Sequence, residues 1–257
     1  MFYSLTSFSQ LKSNQAALSP GGSGFADTTS FLFDGVDDYI DCGSYTALDT
    51  TDTFSISMWV KIGGGGYVVG KNNTASYWGM KFAFYITQSK IEVYTDNIAF
   101  RNTTLTLGSN WIHVVMVIDR TESATINRCK IYVDDTPITN VTYSSFAQVS
   151  ADSSPLIIGA RQVGMATPVI NGSFGGNMDE VSIWSNALQP SDITTIYNSG
   201  VPNDISAMSG LNNWWRMGEE ATWDGARDWT LVDEGSGGNN GTTQNMAEAS
   251  RTTDVPT

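Results

Sequence analysis

The chain has 257 residues, of which 40% are hydrophobic and only 15% are charged. That length allows one large domain or two small ones, and the abundance of Gly, Ser, Thr and Asn predicts an all-β sandwich of short strands and polar turns. The formal net charge of −13 argues against nucleic acid and anionic membrane surfaces as partners, because phosphate binding needs clustered Lys and Arg. It is compatible with divalent cations, although it also serves solubility alone.

The N-terminal region reads as an arm. Residues 1–30 are rich in Ser, Gly and Thr, with a flexible break at Pro20–Gly24. Residues 1–10 have neither a basic region nor a long apolar region, so they are not a secretory signal as written. The longest apolar runs, such as Val114–Ile118, are too short to span a bilayer. We therefore expect no export signal and no membrane insertion.

The chain has two cysteines, Cys42 and Cys129, both in strand-like segments. Neither lies in a C-x-x-C spacing, which argues against a zinc site. Buried free thiols are the favoured interpretation, and a disulfide stays open.

From Ser30 onward, one strand pattern follows another. Phe54–Lys61 alternates apolar and polar residues with period two, as a half-buried strand does. Gly63–Gly66 predicts a four-glycine turn. The other predicted strands cover residues 31–33, 39–42, 67–70, 78–87, 90–94, 111–119, 130–134, 156–160 and 177–184.

One helix is predicted, over residues 189–200. Pro190 suits a first helical position, Asp192 suits the positive end of the helix dipole, and Gly200 suits the residue just after the helix. One short helix among about a dozen strands predicts a two-sheet antiparallel sandwich.

Four segments resemble one known family. Phe33–Ile40 resembles F-D-G-x-D-D-Y-V, Phe54–Lys61 resembles F-T-I-S-x-W-V-K, and Trp111–Val114 with Ile131–Asp135 resembles W-x-H-V followed by Y-V-D-G. Ile158–Ala160 with residues 174–188 resembles I-G-A followed by G-x-I-D-E-V-R-I-W-N-R-A-L. Over residues 31–200 the chain thus resembles laminin-G-like, concanavalin-A-like jelly rolls, a group that includes pentraxins and many bacterial and phage surface modules.

The resemblance also implies a circular permutation. Trp214–Glu219 and Asp233–Thr242 resemble a strand and a loop that usually precede the F-D-G motif in this family. We therefore expect an N-terminal arm (1–30), a jelly roll (31–200) and a C-terminal extension (201–257) that supplies a closing strand and a tail. Pairing of residues 211–257 with another subunit, or the start of a truncated second repeat, is the alternative.

Catalysis is not predicted. Jelly-roll glycosidases need two carboxylates that flank the scissile bond, and no E-x-D-x-x-E triplet occurs. Asp179 and Glu180 are adjacent in a strand, so we expect them to point to opposite faces of the sheet. The single histidine, His113, is expected to be packed and hydrogen-bonded. We predict no catalytic residue.

A structural calcium ion is the one cofactor that the resemblance implies. In similar jelly rolls it lies where the terminal strands meet, and the candidate ligands here are Asp34, Asp179 and Glu219, with Asp233 weaker. The alternative is that Asp34 caps a turn and Asp179 accepts backbone hydrogen bonds.

A glycan is the candidate ligand of exposed aromatic side chains. Trp78, Tyr85 and Tyr94 are the candidate stacking platforms, and core packing is the alternative for each of them.

Two functions follow from these patterns. The first is a virion surface component, most simply of a phage, as a capsid decoration or a tail or fibre protein. It would contact other virion proteins, or copies of itself, through its two tails. The second is a secreted, extracellular carbohydrate-binding or adhesion module.

Overall fold

A computed structural model describes residues 25–72, 80–95, 99–139, 141–143, 148–163 and 169–257. These residues form one α-helix, α1 (Pro190–Tyr197), and 19 strands. The strands are β1 (Ser30–Asp34), β2 (Tyr39–Ser44), β3 (Thr53–Asn72), β4 (Met80–Thr87), β5 (Lys90–Thr95), β6 (Ala99–Thr104), β7 (Trp111–Asp119), β8 (Cys129–Val133), β9 (Thr136–Pro137), β10 (Val141–Tyr143), β11 (Pro155–Ile158), β12 (Arg161–Val163), β13 (Val169–Asn171), β14 (Gly175–Trp184), β15 (Leu211–Trp215), β16 (Thr222–Trp223), β17 (Trp229–Leu231), β18 (Gly241–Gln244) and β19 (Arg251–Thr252).

Two antiparallel sheets form the sandwich, which confirms the predicted all-β jelly roll. In the first sheet, β14 pairs with β3 on one side and with β1 and β15 on the other, and β7, β8 and β9 continue beyond β3. The second sheet runs β16–β17–β18–β2–β11–β3–β4–β5–β6–β10. A small hairpin, β12–β13, is separate.

The strand β3 belongs to both sheets, so the predicted turn at Gly63–Gly66 is wrong. The strand continues through these glycines, with a left-handed residue at Gly65 (φ 75°), and crosses from the first sheet to the second. Glycine is required because the crossing is tight: a Cβ atom on Gly65 would lie 2.6 Å from the Ile86 carbonyl oxygen. Side chains would prevent this approach of one backbone to another.

The core lies between the sheets, and a second apolar layer covers the outside of the first. Alternate residues of β3, such as Phe54, Ile56 and Met58, point into the core. The opposite face is buried under α1 and the segment that follows it, with Trp184, Ile193, Ile196 and Trp214 in its cluster. This outer layer explains why residues on both faces of β14 are buried.

The helix α1 begins at Pro190, as predicted. The Gln189 N–H donates a hydrogen bond to Asp192 Oδ2 at 2.9 Å, which holds the first turn. The left-handed residue that ends the helix is Asn198 (φ 45°) and not Gly200. Within the described residues, no helix has the length and apolar character needed to cross a membrane.

Strands after residue 200 join both sheets. β15 pairs with β14 in the first sheet, and β18 pairs with β2 in the second. β19, close to the C-terminus, pairs with β1. Cys42 and Cys129 are buried free thiols.

The single histidine is packed on the outer side of the first sheet. His113 Nε2 lies 2.8 Å from Ser57 Oγ, and its ring lies 5.0 Å from that of Trp59 and 5.9 Å from that of Tyr197. Burial lowers the pKa of His113 to about 3, because the protonated ring would lose its hydration.

We expect Gly65→Ala to destabilise the fold more than Gly43→Ala. The two glycines have similar φ angles, 75° and 71°, so each substitution carries the same cost of roughly 1–2 kcal/mol for a left-handed alanine. Among the described residues nothing lies within 4 Å of a Cβ atom on Gly43, whereas Gly65 faces the β4 backbone. The steric clash should cost Gly65→Ala about 1–3 kcal/mol more. Urea denaturation measures both losses, and equal losses would contradict the tight crossing.

The buried neutral His113 should make the protein less stable as the pH falls below about 6.5. Its folded-state pKa is lowered, so in that range the unfolded chain binds a proton that the folded chain does not. Stability should therefore fall by up to about 1.4 kcal/mol per pH unit from this residue alone. The difference in free energy of unfolding between the wild type and His113→Phe, measured from pH 8 to pH 4, isolates that contribution. If the free energies of unfolding of the wild type and His113→Phe changed with pH in parallel, His113 would not be buried in its neutral form.

Candidate functional site

Four acidic side chains meet at one place in the first sheet. Asp27, Asp179, Glu180 and Glu219 each place a carboxylate oxygen within 4.8 Å of those of the other three. Asp179 is 0% exposed and Glu180 is 6% exposed. We call this set the acid cluster.

The cluster lies at a break in the row of strands beside β14. β1 pairs with the first half of β14, and β15 pairs with its second half, so the two strands lie end to end along one edge. Asp27 precedes β1, and Glu219 follows β15. The ends of two chain segments that are far apart in sequence therefore place their acids at the middle of β14.

A β-bulge in β14 supplies the other two acids. Asp179 lies opposite Trp59 and Ser182 lies opposite Ser57, so β14 holds one residue more than β3 over this stretch. Glu180 takes the left-handed conformation, with φ 50°. Met178 before the pair and Val181 after it both point into the core. The prediction that Asp179 and Glu180 point to opposite faces is therefore wrong, because the bulge turns both carboxylates to the same side.

Some of the cluster oxygens accept hydrogen bonds from nearby N–H groups. Glu180 Oε2 accepts a hydrogen bond from Trp214 Nε1 at 2.5 Å, and Glu180 Oε1 accepts one from Arg216 Nε at 3.2 Å. Glu219 Oε1 accepts backbone N–H groups of Thr28 and Thr29, and Asp179 Oδ1 accepts the Glu180 N–H at 2.9 Å. These contacts hold the carboxylates in place.

Other cluster oxygens have no donor within the described part of the chain. They are Asp179 Oδ2, Glu219 Oε2 and both oxygens of Asp27, all of them out of contact with water. Asp27 and Asp179 are neighbours, but two carboxylates cannot donate to each other unless one is protonated. A buried charge without a partner is costly, so these oxygens indicate a missing positive group.

The pKa values of the cluster show the same shortage of positive charge. Burial, followed by repulsion from Glu219, raises the pKa of Asp27 to about 7. Burial raises the pKa of Glu180 to about 8, although Arg216 opposes the rise. Burial and the charge of Asp27 raise the pKa of Asp179 well above its usual range.

The donor set fits a hard divalent cation. Calcium takes about six to eight oxygen ligands, and carboxylates at a few ångströms from one another are its usual protein ligands. Several inward-facing oxygens here are unpartnered. By contrast, a substrate cannot reach Asp179, since it has no exposed surface.

The structure does not bring Asp34 to the acid cluster. Asp34 instead lies with Asp37 and Asp38 in a separate, mostly exposed group. Its Oδ1 accepts the Val36 N–H at 2.7 Å, which is the turn-capping alternative considered for this residue.

Asp233 is a structural residue in the loop after β17. Its carboxylate accepts backbone N–H groups of Trp214, Gly235 and Asn239 at 2.8–2.9 Å. Those bonds tie the glycine-rich loop to β15, and they leave Asp233 outside the acid cluster.

Tyrosines form a second candidate site on the outer face of the second sheet. Tyr67 of β3 lies opposite Tyr85 of β4, which lies opposite Glu92 of β5. Tyr94 is two residues beyond Glu92 and so projects from the same face. The rings of Tyr67 and Tyr85 meet edge to face at 4.9 Å, and all three tyrosines are half-exposed. We call this set the tyrosine face.

Charged groups frame the tyrosine face. The Tyr94 hydroxyl donates to Glu92 Oε2 at 3.0 Å, and Lys90 Nζ lies 3.0 Å from the same oxygen. The Arg161 guanidinium lies 4.7 Å from the Tyr67 ring centre. The structure thus brings together the predicted Tyr85 and Tyr94 and adds Tyr67, which only the strand register reveals. The third predicted platform, Trp78, lies outside the described residues.

Comparison with known proteins supports the fold. A family model described as the concanavalin A-like lectin/glucanases superfamily matches residues 34–194. A candidate carbohydrate-binding protein from Bacteroides ovatus is 17% identical, with a TM-score of 0.61 over 90% of this chain and 62% of that one. A heptameric SAP-like pentraxin from Limulus polyphemus is 14% identical, with a TM-score of 0.50 over 66% of this chain and 82% of that one.

The chain spans less than two thirds of the Bacteroides protein, and identities this low show the fold alone. No curated protein sequence matches this chain significantly. The family match, however, covers well over half of the chain. The chain therefore belongs to the concanavalin A-like lectin/glucanases superfamily and carries its laminin-G-like domain.

Proposed function

We propose that the protein is a non-catalytic carbohydrate-binding module whose sandwich is tied together by a calcium ion. The tyrosine face is the observation that carries the binding proposal. Flat, half-exposed rings offer apolar surface to the C–H face of a sugar, and nearby charged groups can hydrogen-bond its hydroxyls. Tyr67, Tyr85 and Tyr94 supply the rings, and Lys90 and the Tyr94 hydroxyl supply the polar groups. The similarity to the Bacteroides protein supports this choice of ligand.

Burial and pairing of the acids support a non-catalytic role. Hydrolysis of a glycosidic bond usually requires two carboxylates that flank it, about 5–10 Å apart. On the tyrosine face, Glu92 is already engaged by Tyr94 and Lys90. In the acid cluster the carboxylates of Asp179 and Glu180 are buried against protein groups, so a sugar chain has no path between them.

The acid cluster supports the calcium proposal. Asp27, Asp179 and Glu219 would bind the ion through the oxygens that lack donors, and Glu180 would add to the negative field. A bound cation would supply the compensating charge at the junction of β1, β14 and β15. Its role would be structural.

The virion assignment stays a prediction, as does its extracellular alternative. The fold serves either setting, since function resides in sites and not in the sandwich itself. Electron microscopy of the purified protein tests the assignment, because ordered particles or fibres would favour the virion and dispersed monomers would favour the extracellular module.

Tyr94→Ala and Tyr85→Ala should each weaken binding to a glycan identified on an array. Loss of one stacking ring at the centre of a site typically costs more than 1 kcal/mol, or about tenfold in Kd. Isothermal titration calorimetry measures the change. Tyr39→Ala is the control, because Tyr39 is a half-exposed tyrosine on β2, outside the tyrosine face. Equal affinity of all three variants and the wild type would refute the proposed face.

Calcium should raise the melting temperature relative to EDTA. At calcium concentrations about 100-fold above Kd, binding adds roughly 2.7 kcal/mol, which corresponds to about 5–10 °C for a chain of this size. Asp179→Asn should abolish most of this shift, and in EDTA it should melt no lower than the wild type, because it replaces a carboxyl group that is buried with an unpartnered oxygen.

Asp37→Asn is the matched control for the calcium measurement. It neutralises an acid in the separate, exposed group with Asp34 and Asp38, so the calcium shift should survive. If Asp37→Asn lost the calcium shift and Asp179→Asn kept it, the ion would bind at the group of Asp34, Asp37 and Asp38, and the proposed site would be wrong.

A further inference from the structure

The segment Phe25–Thr29, which we call the N-terminal strap, is fastened to the first sheet by side chains. Its Phe25 ring stacks on Trp214, with ring centres 6.2 Å apart and planes 14° apart. The Arg216 guanidinium lies 4.4 Å from the centre of the Phe25 ring and donates a hydrogen bond to the Ala26 carbonyl oxygen. The strap precedes β1, and no strand is assigned to it. The start of the strap is therefore held by side chains of β15 and of the residue after it.

The acid cluster is the other end of the attachment. Glu219 Oε1 accepts the N–H groups of Thr28 and Thr29 at 2.6 and 2.9 Å and the Thr28 hydroxyl at 3.2 Å. The other Glu219 oxygen, Oε2, has no donor among the described residues. The Glu219 carboxylate thus binds the strap backbone through Oε1, and its Oε2 is left without a donor in the cluster.

The charges across this contact are mismatched. The strap contributes Asp27, and the rest of the cluster contributes Asp179, Glu180 and Glu219. Within the described residues, Arg216 forms the ion pair of the cluster, with Glu180 at 3.2 Å. Asp27 therefore faces like charges with both of its oxygens unpartnered, and repulsion of this kind opposes closure of the strap.

We propose that a divalent cation in the acid cluster is the latch of the N-terminal strap. The inference rests on the calcium site proposed above and adds a consequence to it. Asp27 joins the strap to the ion, and Asp179 and Glu219 join the ion to the sheet. Without the ion, the strap separates from Trp214 and from the junction of β1 and β15. Because coupling is reciprocal, a well-fastened strap also raises the affinity for the ion.

Hydrogen exchange measured by mass spectrometry tests the release of the strap. The full chain is compared in CaCl2 and in EDTA. Calcium should slow exchange at the Thr28 and Thr29 amides by about tenfold or more, a common size for coupling between two sites. Peptides from β7 serve as the internal reference, since β7 pairs on both sides with β3 and β8.

Phe25→Ala tests the reciprocal effect. This substitution removes the stacking contact of the strap but leaves every carboxylate in place, so it should weaken calcium binding by about fivefold or more in calorimetry. Val36→Ala is the control, because Val36 is 75% exposed and lies outside the strap. A strap that merely covers the sheet would leave the calcium affinity of Phe25→Ala unchanged.

The outcomes separate this inference from the calcium proposal. Calcium-dependent protection of the strap together with weaker binding by Phe25→Ala supports the latch. Calcium binding without a change at Thr28 and Thr29, or with equal affinity in Phe25→Ala, overturns the latch and leaves the calcium site. Absence of calcium binding in calorimetry overturns both.

Discussion

Asp179 has no contact with water, and the closure of the first sheet is arranged around its carboxylate. A buried anion must be compensated by donors or by positive charge. The bulge at Glu180 adds a second acid on the same side, and Asp27 and Glu219 add two more from the ends of β1 and β15. The strap, β14 and the segment after β15 thus place four acids together without enough positive charge to compensate them. A cation would compensate all four acids at once.

The two sheets have different roles because of what covers their outer faces. The outer face of the first sheet is sealed by α1 and an apolar cluster that includes Trp184 and Trp214. The second sheet instead presents half-exposed tyrosines and charged side chains. β3 serves both sheets by passing through Gly63–Gly66. The buried acids therefore lie in the first sheet, and the partly exposed aromatic side chains lie on the second.

The candidate sites were only partly predictable from the sequence. Family motifs indicated Asp179 and Glu219, and aromatic content indicated Tyr85 and Tyr94. Asp27 was missed because it lies 152 residues from Asp179 in the chain, in a segment that reads as an arm. Glu180 was placed on the wrong face, since strict alternation holds only where a strand has no bulge. Pairing of a distant strand decides where such a bulge falls.

The sequence by itself determined the all-β class, the strands with clear period-two patterns, the start of α1 at Pro190 and the family. These features depend on neighbouring residues, whose preferences are local. The tertiary structure alone decided that the four-glycine stretch continues a strand, that β1 and β15 share one edge of β14, and that Asp179 and Glu180 face the same way. Each of these depends on register between segments far apart in the chain. Local propensity carries no information on that register, because the contacts that set it form only when the sheets close.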